Sequence, residues 1–187
     1  MKMPSDNVRH ADNQQVTRDR RISDEYFSGF VDGEGCFYVG FSKRNDLPLK
    51  GQIITEFHLS QNIGGKNILE AFCARLGCGY IKPNHPGNPK DKSWVFIVKN
   101  RNDLTKNIIP FFDRYPPHSQ KKCDFFAFKH VLEIIERCEH LKFEGFKKIV
   151  EIVFSLNKTS AKRYSKEELL FLGTSETIRQ IRLGEKI

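Results

Sequence analysis

The sequence predicts an α+β domain: one antiparallel sheet in an αββαββα order, helices packed on a single face, and additional helices toward the C-terminus. Three observations support this. Strand-like segments come in two pairs, a well-patterned amphipathic helix separates the pairs, and helical periodicity resumes after the second pair. Two hairpins joined through a helix favour antiparallel pairing with one face covered and one open to water.

In chain order, residues 1–22 are polar and densely charged and are expected to form a flexible arm, leaving 23–187 as a single domain. Ser23 or Asp24 is placed to cap a helix running to about Gly33. A strand is expected over Cys36–Lys43 and a second over Gln52–Gln61, joined by the turn "RNDLPLKG". "GKNILEAFCARLG" has the apolar spacing of an amphipathic helix, and Gly77 is its expected stop. "GYIKPN" and "SWVFIVKN" read as strands around the loop "HPGNPKDK". Helical patterns follow at about 103–113, 122–140 and 142–156. "SKEELLFLG" opens with a capping box of Ser165 and Glu168, and "TSETIRQIRL" reads as a last short helix.

Charge narrows the partner. Lys and Arg outnumber Asp and Glu by 31 to 23, a net charge of +8, which suits a polyanion such as nucleic acid or an acidic membrane surface. No apolar run reaches the roughly eighteen residues of a membrane span, so no membrane insertion is expected. The N-terminal residues lack the apolar stretch of a secretory signal. Five cysteines without a CxxC pair fit reduced thiols. Cys138 and His140 flank one residue, but two ligands do not make a zinc site.

The second strand has two legible faces. Ile53, Thr55, Phe57 and Leu59 form one, and Gln52, Ile54, Glu56 and His58 the other; in the first strand Phe37, Val39 and Phe41 alternate with Tyr38, Gly40 and Ser42. The polar face is either simply solvated or a β-ribbon that reads base edges in a major groove. Gln52, Glu56, His58, Lys82 and Asn84 suit the second reading, and Tyr38, Ser42, Lys43, Arg44 and Lys66 extend the set of candidate DNA contacts.

At the helix–strand junction stands "YFSGFVDGEGCFYVGF", Tyr26 to Phe41. Gly29 and Gly33 share a helix face and permit close approach of another backbone, with Phe27, Phe30 and Val31 as apolar contacts. Asp32 and Glu34 sit at a helix C-terminus, where the dipole disfavours negative charge unless a cation is near. Carboxylate plus free carbonyl oxygen suits a hard divalent ion such as Mg²⁺. The plainer alternative is a glycine-stopped helix with incidental surface acids.

"FSGFVDGEG", Phe27 to Gly35, resembles the LAGLIDADG motif of homing endonucleases position by position, and the hairpin–helix–hairpin order beyond it extends the likeness over about 23 to 183. The resemblance implies a saddle-shaped sheet lying in the DNA major groove, with motif helices forming the interface between two halves through Phe27, Gly29, Phe30 and Gly33. It implies that Glu34 and the Gly33 carbonyl bind Mg²⁺, that Gln61 is a polar active-site group, and that Lys121, with Lys122 behind it, supplies a basic one. Asp32 is assigned a structural capping role. Gly64 and Gly65 stand where the family often has an Arg, leaving Lys66 as an imperfect substitute. One motif in 187 residues implies a homodimer acting on a long pseudo-palindromic double-stranded DNA target, intron-encoded and in an organelle or a microbial cytoplasm. An intron RNA maturase or a non-cleaving DNA-binding regulator on the same fold are the alternatives.

Overall fold

The computed structural model describes residues 22–47, 49–156 and 164–171. The arm expected over 1–22, apart from Ile22, and the helix expected in "TSETIRQIRL" lie outside them. Helix α1 (Asp24–Glu34) starts where Ser23 accepts a hydrogen bond from the Tyr26 N–H, at 3.2 Å. It runs one residue further than the sequence suggests and passes directly into β1 (Gly35–Lys43). A turn over 44–50 leads to β2 (Gly51–Gln61). A short 3₁₀ turn then feeds α2 (Lys66–Leu76), which Gly77 ends in the left-handed conformation at φ +65°. Strands β3 (Tyr80–Pro83) and β4 (Trp94–Val98) complete one antiparallel sheet in the order β1-β2-β4-β3.

The helical segment expected at 103–113 begins earlier. Asn100 accepts from the N–H groups of Asn102 and Asp103 and starts α3 (Arg101–Asp103), which continues through a π turn (Leu104–Ile108) into α4 (Ile109–Arg114). Helix α5 (Lys121–Glu136) is shorter than 122–140, because Cys138 takes φ +57° and a separate 3₁₀ turn follows over Glu139–Leu141. Helix α6 (Phe143–Leu156) matches its expectation closely. At 166–171 the capping box forms as read: the Ser165 hydroxyl accepts from the Glu168 N–H, and Glu168 accepts from the Ser165 N–H.

The helices cover one sheet face. Phe37 is the hub of the larger core, its ring centroid 5.1–5.6 Å from those of Phe57, Phe112, Phe125 and Phe128. Phe27 of α1 stacks on Phe72 of α2 at 4.6 Å. Each such pair adds about 0.5–1.5 kcal/mol beyond the area it buries. A second core gathers Phe146, Ile149 and Val150 of α6 with Val131, Ile134 and Ile135 of α5 and Ile53 of β2.

Packing at the start of α6 leaves no room for a side chain at residue 145, where an added Cβ would lie 2.1 Å from the Glu139 carbonyl oxygen. Gly145→Ala is therefore expected to destabilise the fold by about 1–3 kcal/mol, read as a lower urea midpoint with an unchanged slope.

Candidate nucleic-acid interface and metal site

The site begins at the α1–β1 junction. A Cβ on Gly35 would lie 2.4 Å from Val31 Cγ1 and 2.7 Å from the Val31 carbonyl oxygen, so only glycine lets the helix turn straight into the strand. The Gly35 N–H closes on that same carbonyl, and the later carbonyls of α1, Gly33 among them, lie beyond its last intrahelical bonds. Glu34 is the last helical residue. It is exposed and makes no hydrogen bond or ion pair among the described residues, and the last turn of α1 holds no basic residue.

Asp32 behaves differently from its neighbour. Its carboxylate accepts from the His118 N–H at 2.8 Å, the Ser119 N–H at 3.1 Å and the Ser119 hydroxyl at 2.7 Å. Partial burial opposes its charge, but the Ser119 and His118 donors outweigh this and hold the carboxyl below its ordinary value. The capping role expected of Asp32 is thus exerted on the loop entering α5 rather than on its own helix. The Ser119 hydroxyl in turn accepts from the Lys121 N–H at 3.1 Å, which places Lys121 at the first turn of α5. Lys121 stands near enough to Cys36, two residues after Glu34, to oppose the rise in that thiol's pKa that burial causes. Lys122, at the next position, is exposed.

Gln61 ends β2, on the edge of the sheet where α1 also ends, since Gly35 pairs with Leu59. Its Oε1 accepts from the Asn62 N–H at 2.8 Å, leaving the amide nitrogen free to donate. An added Cβ on Gly65 would lie 2.3 Å from Gln61 Cγ, so this glycine makes space for the glutamine. Lys66 does not take the place of a basic pocket residue: its ammonium is 2.9 Å from Glu70 and 4.3 Å above the Trp94 ring, an intramolecular pairing that its side chain satisfies locally.

The outer sheet face carries a connected panel. Glu56 lies across from Tyr38 in register and accepts from Lys99 Nζ at 2.8 Å and His58 Nε2 at 2.7 Å. A carboxylate only accepts, so His58 Nε2 carries the hydrogen in this bond. Burial raises the Glu56 carboxyl, but Lys99 and His58 together bring it below its ordinary value. The Tyr38 ring stacks on His58, 6.0 Å between centroids, and lies along the strand over Gly40, where a Cβ would meet its hydroxyl. Lys82 is on the same face, opposite Val95, and Asn84 follows β3 with its N–H bonded to the Ser93 carbonyl. Ser42 pairs with Gln52 at the far end. Arg44 forks onto Asp46 at 2.7 and 2.9 Å and reaches Gln52 at 3.5 Å. Alternate residues along a strand advance about 6.7 Å, two base-pair steps of B-DNA, so this face can present donors and acceptors at groove spacing.

Two candidates leave the set. Lys43 shares the parity of Phe37, Val39 and Phe41, and its ammonium lies 4.9 Å over the Tyr164 ring on the helical side. Phe27 is 2% exposed and belongs to the chain's own core, as does Val31 at 0%, so it cannot face a second helix. The open face of α1 is Tyr26, Gly29, Phe30 and Gly33, with Tyr26 51% exposed and its ring stacked on Phe30. Sequence reading missed Tyr26 and Lys99. The parity of Val95 and Ile97 pointed to Lys99, but four consecutive apolar residues in β4 hide which face is which. Among the described residues no group of three or more His, Cys, Asp or Glu could hold a metal ion.

Residues 27–132 match the LAGLIDADG endonuclease family, more than half of the chain. The chain belongs to the LAGLIDADG family. It is 31% identical over 141 residues to the probable intron-encoded endonuclease Cox1-I1b of Schizosaccharomyces pombe, a match over 75% of this chain and 34% of that protein. The LAGLIDADG chain thus spans about a third of that curated relative. Among solved structures, the homing endonuclease I-TnaI is 33% identical with a TM-score of 0.69, covering 83% of this chain and 98% of that one. The archaeal intron-encoded homing endonuclease I-Vdi141I, solved in complex with DNA, is 25% identical with a TM-score of 0.74, covering 83% and 96%. The α+β fold and four-stranded antiparallel sheet are those of this family.

The Asp32 clamp has a definite pH signature. Its carboxyl is lowered on folding, so its contribution is complete above the ordinary 3.8 and is lost as pH falls through the folded value. Asp32→Asn is expected to cost roughly 1 kcal/mol near neutrality. In urea titrations at stepped pH, the gap between wild type and variant should close as pH drops below about 4.

Proposed function

We propose that the chain is a site-specific homing endonuclease that makes metal-dependent double-strand cuts in a long pseudo-palindromic DNA target, works as a homodimer and is encoded within an intron. The observation that carries this reading is Glu34: an exposed carboxylate, unpartnered among the described residues, at the C-terminal end of a helix on the rim of a polar sheet face. Glu34 and the Gly33 carbonyl would hold the ion, and oxygen donors of this kind suit Mg²⁺. When bound, a divalent ion lowers the pKa of water and offsets charge on the phosphate. The residues of the chain do the rest. Gln61 donates its amide N–H to an attacking water or a phosphate oxygen. Lys121, and Lys122 behind it, place positive charge where the leaving oxygen becomes anionic.

The homodimer follows from what the protomer leaves unexplained. Two glycines inside a helix cost about 1 kcal/mol each relative to alanine, yet a Cβ at Gly29 or Gly33 would meet nothing within 4 Å. Their absent side chains therefore serve a neighbour outside the protomer. A second copy packed there would bring a second Glu34 to the same axis and complete a ligand set that one chain lacks. Chain-sized relatives support one copy per half-site, and the intron-encoded relatives favour an organellar genome as the source.

Two experiments test the proposal. Cleavage of a library of partly randomised pseudo-palindromes should occur in Mg²⁺, fall by at least about a thousandfold in Glu34→Gln, and leave binding in Ca²⁺ intact. Tight symmetric binding without cutting in either metal would instead favour a regulator, and binding confined to structured intron RNA a maturase. Gly29→Leu should keep the melting temperature of the protomer while sedimentation shows monomers. A variant that remains dimeric would remove α1 as the interface.

A further inference from the structure

At the opposite end of α1 from Glu34 lies a pocket that DNA cleavage does not use. It has a volume of 240 Å³ and is lined by Arg75, Lys106, Asn107, Phe111, Arg114 and Tyr115, among others. We propose that this pocket binds a phosphodiester group of a single-stranded nucleic-acid segment, with an adjacent unstacked base resting on Tyr115.

Charge is the first argument. Three cations line the pocket and one carboxylate, Asp24, stands beside it. Asp24 is committed: Arg75 Nε and Nη2 donate to its two oxygens at 2.7 Å each, and this hydrogen bonding is the main cause of its lowered pKa. The fork holds the Arg75 guanidinium in place and uses only its Nε and Nη2 among the described residues. Lys106 and Arg114 are exposed and make no hydrogen bond or ion pair among the described residues. A fixed guanidinium flanked by two exposed cations, Lys106 and the ring-stacked Arg114, is a phosphate-binding arrangement.

Local structure is the second. Lys106 and Asn107 both lie in the π turn, a backbone irregularity frequent at functional sites. Aromatic surface is the third. The Arg114 guanidinium lies 5.4 Å from the Tyr115 ring centroid and Arg75 lies 5.8 Å from that of Phe111. Cations interleaved with ring faces suit a single strand, in which bases are free to stack.

Position separates this pocket from the sheet face. Asp24 and Glu34 lie at the two ends of α1, about 15 Å apart at helical rise, and every lining residue belongs to the helical layer or the tyrosine that follows it. A duplex lying on the outer sheet face would not reach it. The inference stands whether or not the chain cuts DNA.

The test is a fluorescence-anisotropy titration of the full chain with a short unstructured RNA, the same sequence as single-stranded DNA, and a random duplex. The variant is Lys106→Gln with Arg114→Gln, which spares the Arg75–Asp24 fork. The double variant should bind either single strand roughly tenfold more weakly at low salt. The slope of log affinity against log salt should shrink by about 1.4, while duplex affinity and melting temperature stay unchanged. RNA and DNA bound alike would mark a phosphate-and-base site, and RNA bound more tightly would mark use of the 2′-hydroxyl. Unchanged single-strand affinity, or an equal loss for strand and duplex, would overturn the proposal. Lys82→Gln serves as the converse control: it should weaken duplex binding alone, so a failure of the endonuclease reading remains separable from a failure of this one.

Discussion

The structure depends on a helix that becomes a strand without a connecting loop. Val31 packs so tightly under residue 35 that a single methyl group there has no place, and glycine alone satisfies the geometry. The consequence is positional. With no loop to absorb variation, the last helical residue, Glu34, is held in fixed relation to β1, and the sheet's parity is set from Cys36 onward. Phe37 enters the core as the hub of the aromatic cluster while Tyr38 emerges on the outer face. The same junction reaches the other side of the molecule through Asp32. Its three donors from His118 and Ser119 tie the entrance of α5 to the end of α1. Lys121 thereby starts α5 within electrostatic reach of Cys36, two residues after Glu34.

The two acids of "DGEG" illustrate how partners, rather than residue type, separate structure from function. Both occupy a helix end where negative charge is disfavoured. Asp32 is stabilised by N–H and O–H donors from a remote loop. Glu34 has no such donors among the described residues, and its carboxylate stays exposed at the end of the helix. The glycines divide in the same way: Gly35 is required by a contact inside the protomer, Gly33 and Gly29 by none.

Much of this was legible beforehand. The antiparallel sheet, the helix stop at Gly77, the capping box at Ser165 and the two faces of β2 follow from short-range rules of spacing, propensity and capping, which act over a few residues and leave a mark in the sequence. The errors lie where a choice depends on a partner far along the chain. Phe27 and Phe30 look equivalent as apolar residues of one helix, but only Phe27 meets Phe72. Lys43 and Lys66 look like solvated cations available to phosphate, but rings at Tyr164 and Trp94 hold them. Lys99 was hidden because all of β4 is apolar, and its role emerges only when β4 pairs beside β2 and places it against Glu56.

What the sequence determined by itself was the set of elements, their order and the motif with its two acids, because hydrophobic period and local capping are read within single turns and strands. Only the tertiary structure decided which of the polar residues are spent on internal pairing and which remain available. That decision rests on distances between residues dozens of positions apart, such as Asp24 with Arg75 and Asp32 with Ser119. A group paired at 2.7 Å within the chain has part of its hydrogen-bonding capacity spent and its orientation fixed, and sequence spacing does not encode such a distance.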